Sequence, residues 1–409
     1  MMKEFFNVDT IEGVLSNAPT FSPVQTETVP LAECQGRVLA ENITSDIDIP
    51  DFQRSTMDGY AVNAASTFGA SEANPAYLSI QGQIPMGVRP HFTIGPGQAA
   101  RIATGGMLPE GADSVMMIEH TETLDETTIE VYKSVAPGQY VIEKGEDIHH
   151  AEAAIDAGTR IRPQEAGLIA ACGIADIQVY KRPMIGIIST GDEVIAVDQV
   201  PEAGQIRDIN TQTLSGQVIS AGGVPVTFGI VKDNRDELIE SCRRALELTD
   251  MVLISGGSSV GARDFTVEVL ELLPDTEILA HGISISPGKP TILARSSTKA
   301  IWGLPGHAAS AMVVFDVVVR PFIEQIAGQK GPTRRFPVTA TLTRNLPSAQ
   351  GRVDFVRVRL DRKNGTLVAD PILGKSGLIR TMVKADGLVA IGMNTEGLEK
   401  GSPVEVMPI

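Results

Sequence analysis

The stretch DMVLISGGSSVGARDF, residues 250–265, passes from an apolar run into a glycine-rich turn. The apolar part predicts a buried strand, and the turn leaves backbone N–H groups open to a ligand because glycine has no side chain. Phosphates are common ligands of such turns. Asp264, just beyond the turn, would repel a phosphate unless a cation lay between them. The stretch therefore predicts either an anion site that uses a metal or an ordinary strand–turn–helix connection.

Strand and helix patterns alternate on both sides of this stretch, from Arg182 to Ala327. The runs PMIGIIST, VPVTFGIV, TILARSS and AIWGLPG predict strands. The segment DINTQTLSGQVISAGG predicts a helix closed by Gly222-Gly223, and further helix patterns lie in DNRDELIESCRRALELT, in FTVEVLELL and from Ala308 onward. This alternation predicts a parallel sheet with helices on both faces and a site at the carboxyl ends of the strands.

The regions on either side of this α/β segment have a different character. Residues 49–144 are rich in Gly and Pro and contain short β patterns such as YLSIQG and SVMMIEH. Residues 331–409 are almost entirely strand-like, and DRKNG marks a hairpin turn within them. A chain of 409 residues is also too long for one core. The expected fold class is multidomain α/β plus β, with a central parallel-sheet domain, flanking mostly-β domains and a C-terminal β barrel or sandwich.

Composition excludes several classes of function. Acidic residues outnumber basic ones, 50 against 34, which argues against sequence-independent nucleic-acid binding. The three cysteines are too few and too far apart for a disulfide framework or a zinc site. The N-terminus does not have the pattern of a signal peptide, and the most apolar stretch, SAMVVFDVVVRPF, is too short and too charged to cross a bilayer. We therefore expect a soluble, cytoplasmic protein with no membrane partner.

Three predicted strands of the α/β segment end in glycine turns. These turns are ISTGDEV with Gly191, SGGSSVG with Gly256, and GLPGHAAS with Pro305, Gly306 and His307. Because the carboxyl ends of parallel strands lie at one edge of the sheet, we expect the turns to converge on an anion-binding pocket. The expected phosphate ligands are the backbone amides of the turns, the hydroxyls of Thr190, Ser258 and Ser259, and the Lys289 ammonium.

Carboxylates follow these turns closely. Glu193 and Asp264 lie just past two of them, and Asp233 ends the strand pattern TFGIVKD. We expect the three to form an acidic cluster that needs Mg²⁺ to accept an anion. The alternative for Asp233 is that it caps the helix that follows. Asp58 and Asp147 also follow or precede turn glycines, where solvated acids are common.

Taken together, these motifs resemble the molybdopterin molybdenumtransferase family, which includes the gephyrin E domain. The resemblance runs nearly end to end, through MDGYA, TGGMLPEGAD, KGEDI, STGDE, SGGSSVG, PGKP, GLPG and GKSGLIRTMVKADGLV. It implies the insertion of molybdenum from molybdate into adenylylated molybdopterin, with release of AMP and help from Mg²⁺. It also implies a homodimer and, as a further partner, the molybdopterin adenylyltransferase of the preceding step.

The resemblance also implies domain boundaries and site residues. The implied domains are an N-terminal helix at 1–26, a split linker domain at 27–48 and 145–180, a mostly-β domain at 49–144, the α/β molybdopterin-binding domain at 181–328 and a β-barrel domain at 329–409. The implied catalytic acids are Asp58, Asp147, Glu193, Asp233 and Asp264, with Glu193 and Asp264 as metal ligands. The implied cofactor-binding residues are Thr104, Gly191, Gly256, Gly257, Ser258, Ser259, Gly261, Lys289, Pro305, Gly306 and Ser376.

The chain departs from the family pattern at this pocket. Ser286 stands where the family commonly has a lysine, Gly282 where a second basic residue is frequent, and His307-Ala308 where Asn-Pro is usual. The loss of two positive charges predicts weaker binding of oxyanions. It leaves open a paralogue that binds molybdopterin or a nucleotide without efficient transfer. A third possibility, the adenylyltransferase itself, is disfavoured because it would not need MDGYA or the C-terminal β domain.

Overall fold

The computed structural model describes residues 8–256, 260–331, 333 and 335–409, without the side chains of residues 260–264. The chain divides into two compact units. The first contains residues 177–409 together with the N-terminal segment up to 41 and residues 157–162. The second contains residues 42–156 and 163–176. Gly257, Ser258 and Ser259, three of the expected phosphate ligands, lie outside the described residues.

A six-stranded sheet forms the centre of the first unit. Its strands are β1 Met184–Thr190, β2 Val224–Val231, β3 Met251–Ser255, β4 Thr276–His281, β5 Ile292–Ser296 and β6 Lys299–Leu304. They lie in the order β2-β1-β3-β6-β5-β4. β2, β1, β3 and β6 run parallel, as the sequence predicts. The expectation of a wholly parallel sheet is wrong at β5, which is antiparallel to both β6 and β4.

Helices cover both faces of this sheet. They are α1 Asn210–Ala221, α2 Arg235–Leu248, α3 Val260–Glu271, α4 Ala308–Val314 and α5 Arg320–Ile326, with a π-helical turn at Phe315–Val319 joining the last two. Side chains alternate between the faces of a strand. Leu253 therefore packs in one core with α1, α4 and α5, while its neighbour Ile254 packs in the other with α2 and α3.

Capping residues explain where α2 begins and where α1 ends. The side chain of Asn234 accepts hydrogen bonds from the N–H groups of Asp236 and Glu237, at 3.0 and 3.2 Å, and so caps the start of α2. The alternative that Asp233 is the cap is therefore wrong. Gly222 ends α1 with φ 95°, a left-handed conformation that glycine adopts without strain. The glycine closure predicted for this helix is confirmed.

The C-terminal part of the first unit is a closed barrel. Its strands are β7 Val338–Leu342, β8 Val353–Lys363, β9 Thr366–Pro371, β10 Gly387–Ile391 and β11 Pro403–Pro408. They pair in the order β8-β9-β7-β11-β10, and a further pairing of β8 with β10 closes the barrel. The predicted hairpin is present because Asn364 and Gly365, at φ 52° and 79°, turn β8 directly into β9.

The second unit is built on another six-stranded sheet. In spatial order its strands are Ser114–Met117, Gly59–Val62, Gln98–Ile102, Ala76–Gln83, Thr128–Val131 and Thr121–Thr123. Two short pairs and one helix complete it: Arg54–Ser55 with Val141–Ile142, Ile43–Thr44 with Ala153–Ile155, and the helix Pro163–Ala171. This agrees with the mostly-β character expected for residues 49–144.

The remaining elements are short and peripheral. They are the helices Ile11–Leu15 and Arg380–Val383, the strand pairs Thr26–Pro30 with Asp176–Tyr180, Val194–Ile195 with Ile206–Arg207, and Leu346–Pro347 with Gly397–Leu398, the pairing strand Ile285–Ser286, and single 3-10 turns at Ala18–Thr20, Leu31–Glu33, Ala64–Thr67 and Ile118–His120. Val14 of the first helix is buried in the α1 core. In the part of the chain that is described, no helix is both long and apolar enough to cross a membrane.

Candidate active site

The three glycine turns meet at one edge of the α/β sheet, as the sequence predicts. They follow β1, β3 and β6, which are parallel neighbours. A cavity of about 300 Å³ opens between them, and its wall includes Gly191, Gly256 and Gly306. Thr190, Ser255 and His307 also contribute to the wall. Backbone amides at strand ends and in glycine turns are groups that bind phosphate, so this edge is the candidate anion site.

Two of these turns have backbones that require glycine. Gly256 has φ 140°, and a Cβ there would lie 2.2 Å from Thr190 Oγ1 and 2.3 Å from the Thr190 carbonyl oxygen. Gly191 has φ 141°, and a Cβ there would lie 2.7 Å from Glu193 Oε2. The Thr190 carbonyl belongs to the backbone and cannot rotate away, so the end of β3 packs directly against the end of β1. The turns are thus held close enough to face a common ligand.

Buried Asn210 connects two of the turns. Its Nδ2 atom donates to Ser255 Oγ at 2.6 Å and to the Gly306 carbonyl at 2.8 Å. Ser255 is the last residue of β3, and Gly306 lies in the turn after β6. Asn210 is not among the residues that the sequence predicts for the site, since a polar residue at the start of a helix gives no sign of what it contacts across the sheet.

A cluster of acids lies beside the cavity. Partial desolvation raises the pKa of Asp233, and the negative charges of Asp192 and Glu193 raise it further. The Asp233 N–H donates to Asp192 Oδ1 at 3.2 Å, which holds the two segments together. Lys232 extends its ammonium to the carbonyls of Asp192 and Val194 at 2.9 and 3.4 Å. Glu193 and Asp233 both line the cavity, so the structure brings these two expected acids together.

The expected metal ligands are only partly described. Glu193 faces the cavity, whereas the side chain of Asp264 is outside the described part of α3. Among the described residues, no group of three or more His, Cys, Asp or Glu side chains converges as a ready-made metal site. Gly261, in the same helical turn as Asp264, lies within α3.

The loop after β9 reaches the cavity from the barrel side. His307 Nδ1 and Ser376 Oγ share a hydrogen bond of 2.9 Å, and the Ala309 N–H donates to the Ser376 carbonyl at 3.1 Å. Gly377 lines the cavity next to His307. Pro305 lies between β6 and Gly306, so Pro305, Gly306 and Ser376 belong to one neighbourhood. Lys289 is different, because the described wall of the cavity does not include it.

Ser286, where a lysine was expected from the family pattern, contacts the barrel. It lies opposite Asp354 in a short parallel pairing with β8. Burial raises the pKa of Asp354, but hydrogen bonds from the Ser348 and Ser286 hydroxyls and the nearby charge of Arg352 together lower it below its usual value. Arg352 Nε lies 3.0 Å from Asp354 Oδ1. This polar cluster was not predicted, since it depends on a contact between segments far apart in sequence.

Asp58 and Thr104 are adjacent in the second unit. Asp58 Oδ1 accepts hydrogen bonds from the Thr104 N–H at 2.7 Å and from the Thr104 hydroxyl at 3.0 Å. These bonds lower the pKa of Asp58. Asp147 lies in a separate turn, where its N–H donates to the Ile49 carbonyl at 3.0 Å. The structure therefore pairs Asp58 with Thr104, whereas the contact described for Asp147 is with the Ile49 backbone.

Comparison with known proteins extends these local observations to the whole chain. Residues 8–173 match the family described as the MoeA N-terminal region (domain I and II), 186–325 a probable molybdopterin binding domain, and 339–409 the MoeA C-terminal region (domain IV). A putative molybdopterin biosynthesis protein of Methanocaldococcus jannaschii is 37% identical, over 92% of this chain and 91% of its own. The chain belongs to the MoeA family.

Further relatives agree with this assignment. The molybdopterin molybdenumtransferase of Bacillus subtilis is 33% identical, over 94% of this chain and 90% of its own. The crystal structure of a MoeA protein from Pyrococcus horikoshii OT3 superposes with a TM-score of 0.84 at 30% identity, covering 98% of this chain and 100% of that one. Most of the cavity lies in the region matched to the molybdopterin-binding domain, and its Ser376 side lies in the region matched to the MoeA C-terminal domain.

Proposed function

We propose that this protein inserts molybdenum from molybdate into adenylylated molybdopterin and releases AMP. The observation that carries the proposal is the cavity at the ends of β1, β3 and β6, within the region that matches a molybdopterin-binding domain. End-to-end similarity to proteins named molybdopterin molybdenumtransferase supports the same reaction. Because the matches continue through the N-terminal and C-terminal regions, they favour the transferase over the adenylyltransferase of the preceding step.

The backbone amides of the Gly191, Gly256 and Gly306 turns are proposed to bind a phosphate of the pterin nucleotide. Preorganised N–H groups stabilise an oxyanion without reorganising when it binds. The rigid contact between Gly256 and Thr190 supports this role because it fixes the separation of two turns. Gly257, Ser258 and Ser259, which follow Gly256 in the chain, are proposed to take part, together with Gly261 near the start of α3 and Ser376 through its contact with His307. Thr104, beside Asp58, is proposed as a further ligand contact.

Mg²⁺ fits the acidic side of this cavity. Mg²⁺ prefers oxygen ligands and is usually held by one or two carboxylates together with substrate phosphates. Glu193 and Asp233 supply carboxylates. The pKa of Asp233 is raised by desolvation first and then by the negative charges of Asp192 and Glu193, and a cation would offset both effects. We propose that Glu193 and Asp264 hold the ion and that Asp233 orients it. Bound there, the ion would offset the charge of the phosphate oxygens.

Asp58 and Asp147 are proposed as the remaining catalytic acids, on the strength of their positions in the family motifs MDGYA and KGEDI. The two hydrogen bonds from Thr104 hold Asp58 ionised and fixed in orientation. The homodimer, the contact with the adenylyltransferase and the division into four domains plus an N-terminal helix are likewise proposals that rest on the family resemblance.

Reconstitution tests the function directly. Purified protein is incubated with adenylylated molybdopterin, molybdate and Mg²⁺, and AMP is quantified by chromatography. We expect AMP release that requires both molybdate and Mg²⁺. An Asp233→Asn variant is the matched control, since it keeps the shape of the side chain but removes one charge of the acidic cluster. Wild-type protein that releases no AMP under any of these conditions would contradict the proposal.

A second candidate is a paralogue that binds the pterin nucleotide without efficient transfer. Ser286 favours it, because this residue pairs with Asp354 of the barrel and brings no positive charge where the family commonly has a lysine. The same reconstitution distinguishes the two. Tight binding of adenylylated molybdopterin, measured by fluorescence titration, combined with no AMP release would establish the binding protein.

A further inference from the structure

Asn210 is the first residue of α1 and is only 8% exposed. Its amide nitrogen donates to Ser255 Oγ, at the end of β3, and to the Gly306 carbonyl, in the turn after β6. A carbonyl oxygen can only accept a hydrogen bond, so the Gly306 contact fixes which end of the amide carries the nitrogen. One side-chain group therefore connects the end of β3 to the turn after β6.

The other end of this amide has an unusual environment. Asn210 Oδ1 is buried and has no hydrogen-bond partner among the described residues. An unpaired buried acceptor lowers stability, since the oxygen loses its water and gains nothing in return. A residue selected only for packing would not need this acceptor. An apolar residue of similar size could fill the same space but could not donate the two Nδ2 hydrogen bonds to Ser255 and Gly306.

The start of α1 is held independently of Asn210. The carboxylate of Asp208 accepts hydrogen bonds from the Thr211 N–H at 3.0 Å and from the Thr211 hydroxyl at 2.6 Å. These bonds satisfy a free N–H of the first helical turn, which is the role a capping residue plays. Removing the Asn210 amide therefore leaves the helix start anchored, and the sheet pairing of Ser255 with Leu304 in place, while it removes the side-chain link between Ser255 and the Gly306 turn.

We propose that Asn210 is a positioning residue that clamps Ser255, at the end of β3, to the Gly306 turn, so that the cavity wall they form keeps the shape that binds one phosphate of the ligand. The proposal rests on the proposed function for the identity of that ligand. An oxyanion held by two loops is bound well only if the loops keep a fixed separation. Asn210 sets that separation through two hydrogen bonds on one nitrogen, without contacting the reacting atoms.

The test uses Asn210→Asp and Asn210→Ala in the full chain. Aspartate has the same shape but cannot donate a hydrogen bond as a carboxylate, and alanine removes the group altogether. Asn234→Asp is the matched control: it makes the same change at the capped start of α2, where an acceptor is all that is needed. Binding of adenylylated molybdopterin is measured without molybdate, so that no transfer occurs, and thermal unfolding is recorded in parallel.

We expect both Asn210 variants to bind the nucleotide about tenfold or more weakly, because small displacements of positioning groups have effects of that size. Asn210→Ala should unfold at a temperature close to that of the wild type, whereas Asn210→Asp should unfold at a lower temperature because it buries a carboxyl group against the Gly306 carbonyl. Asn234→Asp should bind normally. Folded Asn210 variants that bind as tightly as the wild type would overturn the proposal. If both variants fail to fold, Ser255→Ala removes one acceptor of the clamp instead. A weakened nucleotide affinity in that variant would support the clamp, and an unchanged affinity would overturn it.

These outcomes are distinct from failure of the proposed function. Wild-type protein that binds the nucleotide but releases no AMP contradicts the transferase while leaving the clamp intact. Wild-type protein that transfers molybdenum, together with Asn210 variants of normal affinity, contradicts only the clamp. Wild-type protein that does not bind the nucleotide contradicts both.

Discussion

Ser286 lies opposite Asp354 in the short parallel pairing of Ile285–Ser286 with β8, which joins the α/β domain to the barrel. In the family pattern this position commonly carries a lysine. The barrel side already provides a cation, since Arg352 lies 3.0 Å from the Asp354 carboxylate. A positive charge is thus present in this neighbourhood, on Arg352 rather than at position 286.

Ser286→Lys is expected to lower the molybdate concentration needed for half-maximal AMP release. An ammonium about 4 Å from an oxyanion contributes on the order of 4 kcal/mol at an effective dielectric of 20, before the cost of desolvation and of pairing with Asp354 is subtracted. A gain of about tenfold is therefore the expected scale. Ser286→Met, similar in length but uncharged, is the control. Equal molybdate dependence in all three proteins would show that no cation is lacking there.

Asp233→Asn is expected to stabilise the protein at neutral pH. The pKa of Asp233 is raised by desolvation first and by Asp192 and Glu193 next. The folded state therefore holds the proton more tightly than the unfolded state, and stability falls as pH rises from the ordinary aspartate pKa through the raised value. The variant should gain less than about 1 kcal/mol at pH 7, the scale of exposed charge pairs, and nothing at pH 3.

Urea unfolding at the two pH values measures this difference in stability between the variant and the wild type. Glu240→Gln, on the exposed face of α2, is the control. Added Mg²⁺ should raise the unfolding temperature of the wild type more than that of Asp233→Asn. A variant less stable than the wild type at pH 7 would show that Asp233 has a structural partner and that the acidic cluster is not a source of repulsion.

Gly256→Ala is expected to be strongly destabilising. The added Cβ would lie 2.3 Å from the Thr190 carbonyl oxygen, and φ 140° is unfavourable for alanine. Backbone strain of this kind costs about 1–3 kcal/mol, and the clash with rigid backbone adds to it. Gly204→Ala separates the two effects, because Gly204 has φ 93° but nothing within 4 Å of an added Cβ. If thermal unfolding showed equal losses for both variants, the close contact with Thr190 would be irrelevant.

Thr104→Val is expected to raise the pKa of Asp58 part of the way to its ordinary value. The backbone N–H of Thr104, the larger cause of the lowered pKa, would remain, whereas the hydroxyl bond would be lost. Since the lowered pKa makes stability fall as pH drops through the folded value, the variant should also be slightly less sensitive to acid. Carbon NMR titration of Asp58 measures the shift, with Thr104→Ser as the conservative control. If Asp58 had the same pKa in Thr104→Val as in the wild type, the Thr104 hydroxyl would not contribute to the lowered pKa.

Much of the fold could be predicted because it follows from local pattern. Short apolar runs locate β1 and β2, and Gly222 and the Asn364-Gly365 turn mark where elements stop. The antiparallel β5 was missed although its signal was present. Only Ser297 and Thr298 separate it from β6, and a parallel pair needs a crossover of a dozen or more residues.

The site was predicted less completely, for physical reasons. Gly191, Gly256 and Gly306 each follow a predicted strand, and parallel strands end at the same edge of a sheet. The three could therefore be placed together at that edge. Asn and Asp both cap helices, so residue type alone could not decide between Asp233 and Asn234. The contacts of Asn210 with Gly306 and of Ser286 with Asp354 depend on tertiary packing, which no short pattern encodes.

The central claim is tested most directly by the stoichiometry of a single turnover. Excess protein is mixed with adenylylated molybdopterin, Mg²⁺ and molybdate; AMP is counted by chromatography and pterin-bound molybdenum by mass spectrometry. We predict that one molybdenum is incorporated for each AMP released, and that neither product forms when molybdate is omitted. AMP released without incorporation of molybdenum, or no AMP despite bound nucleotide, would contradict it.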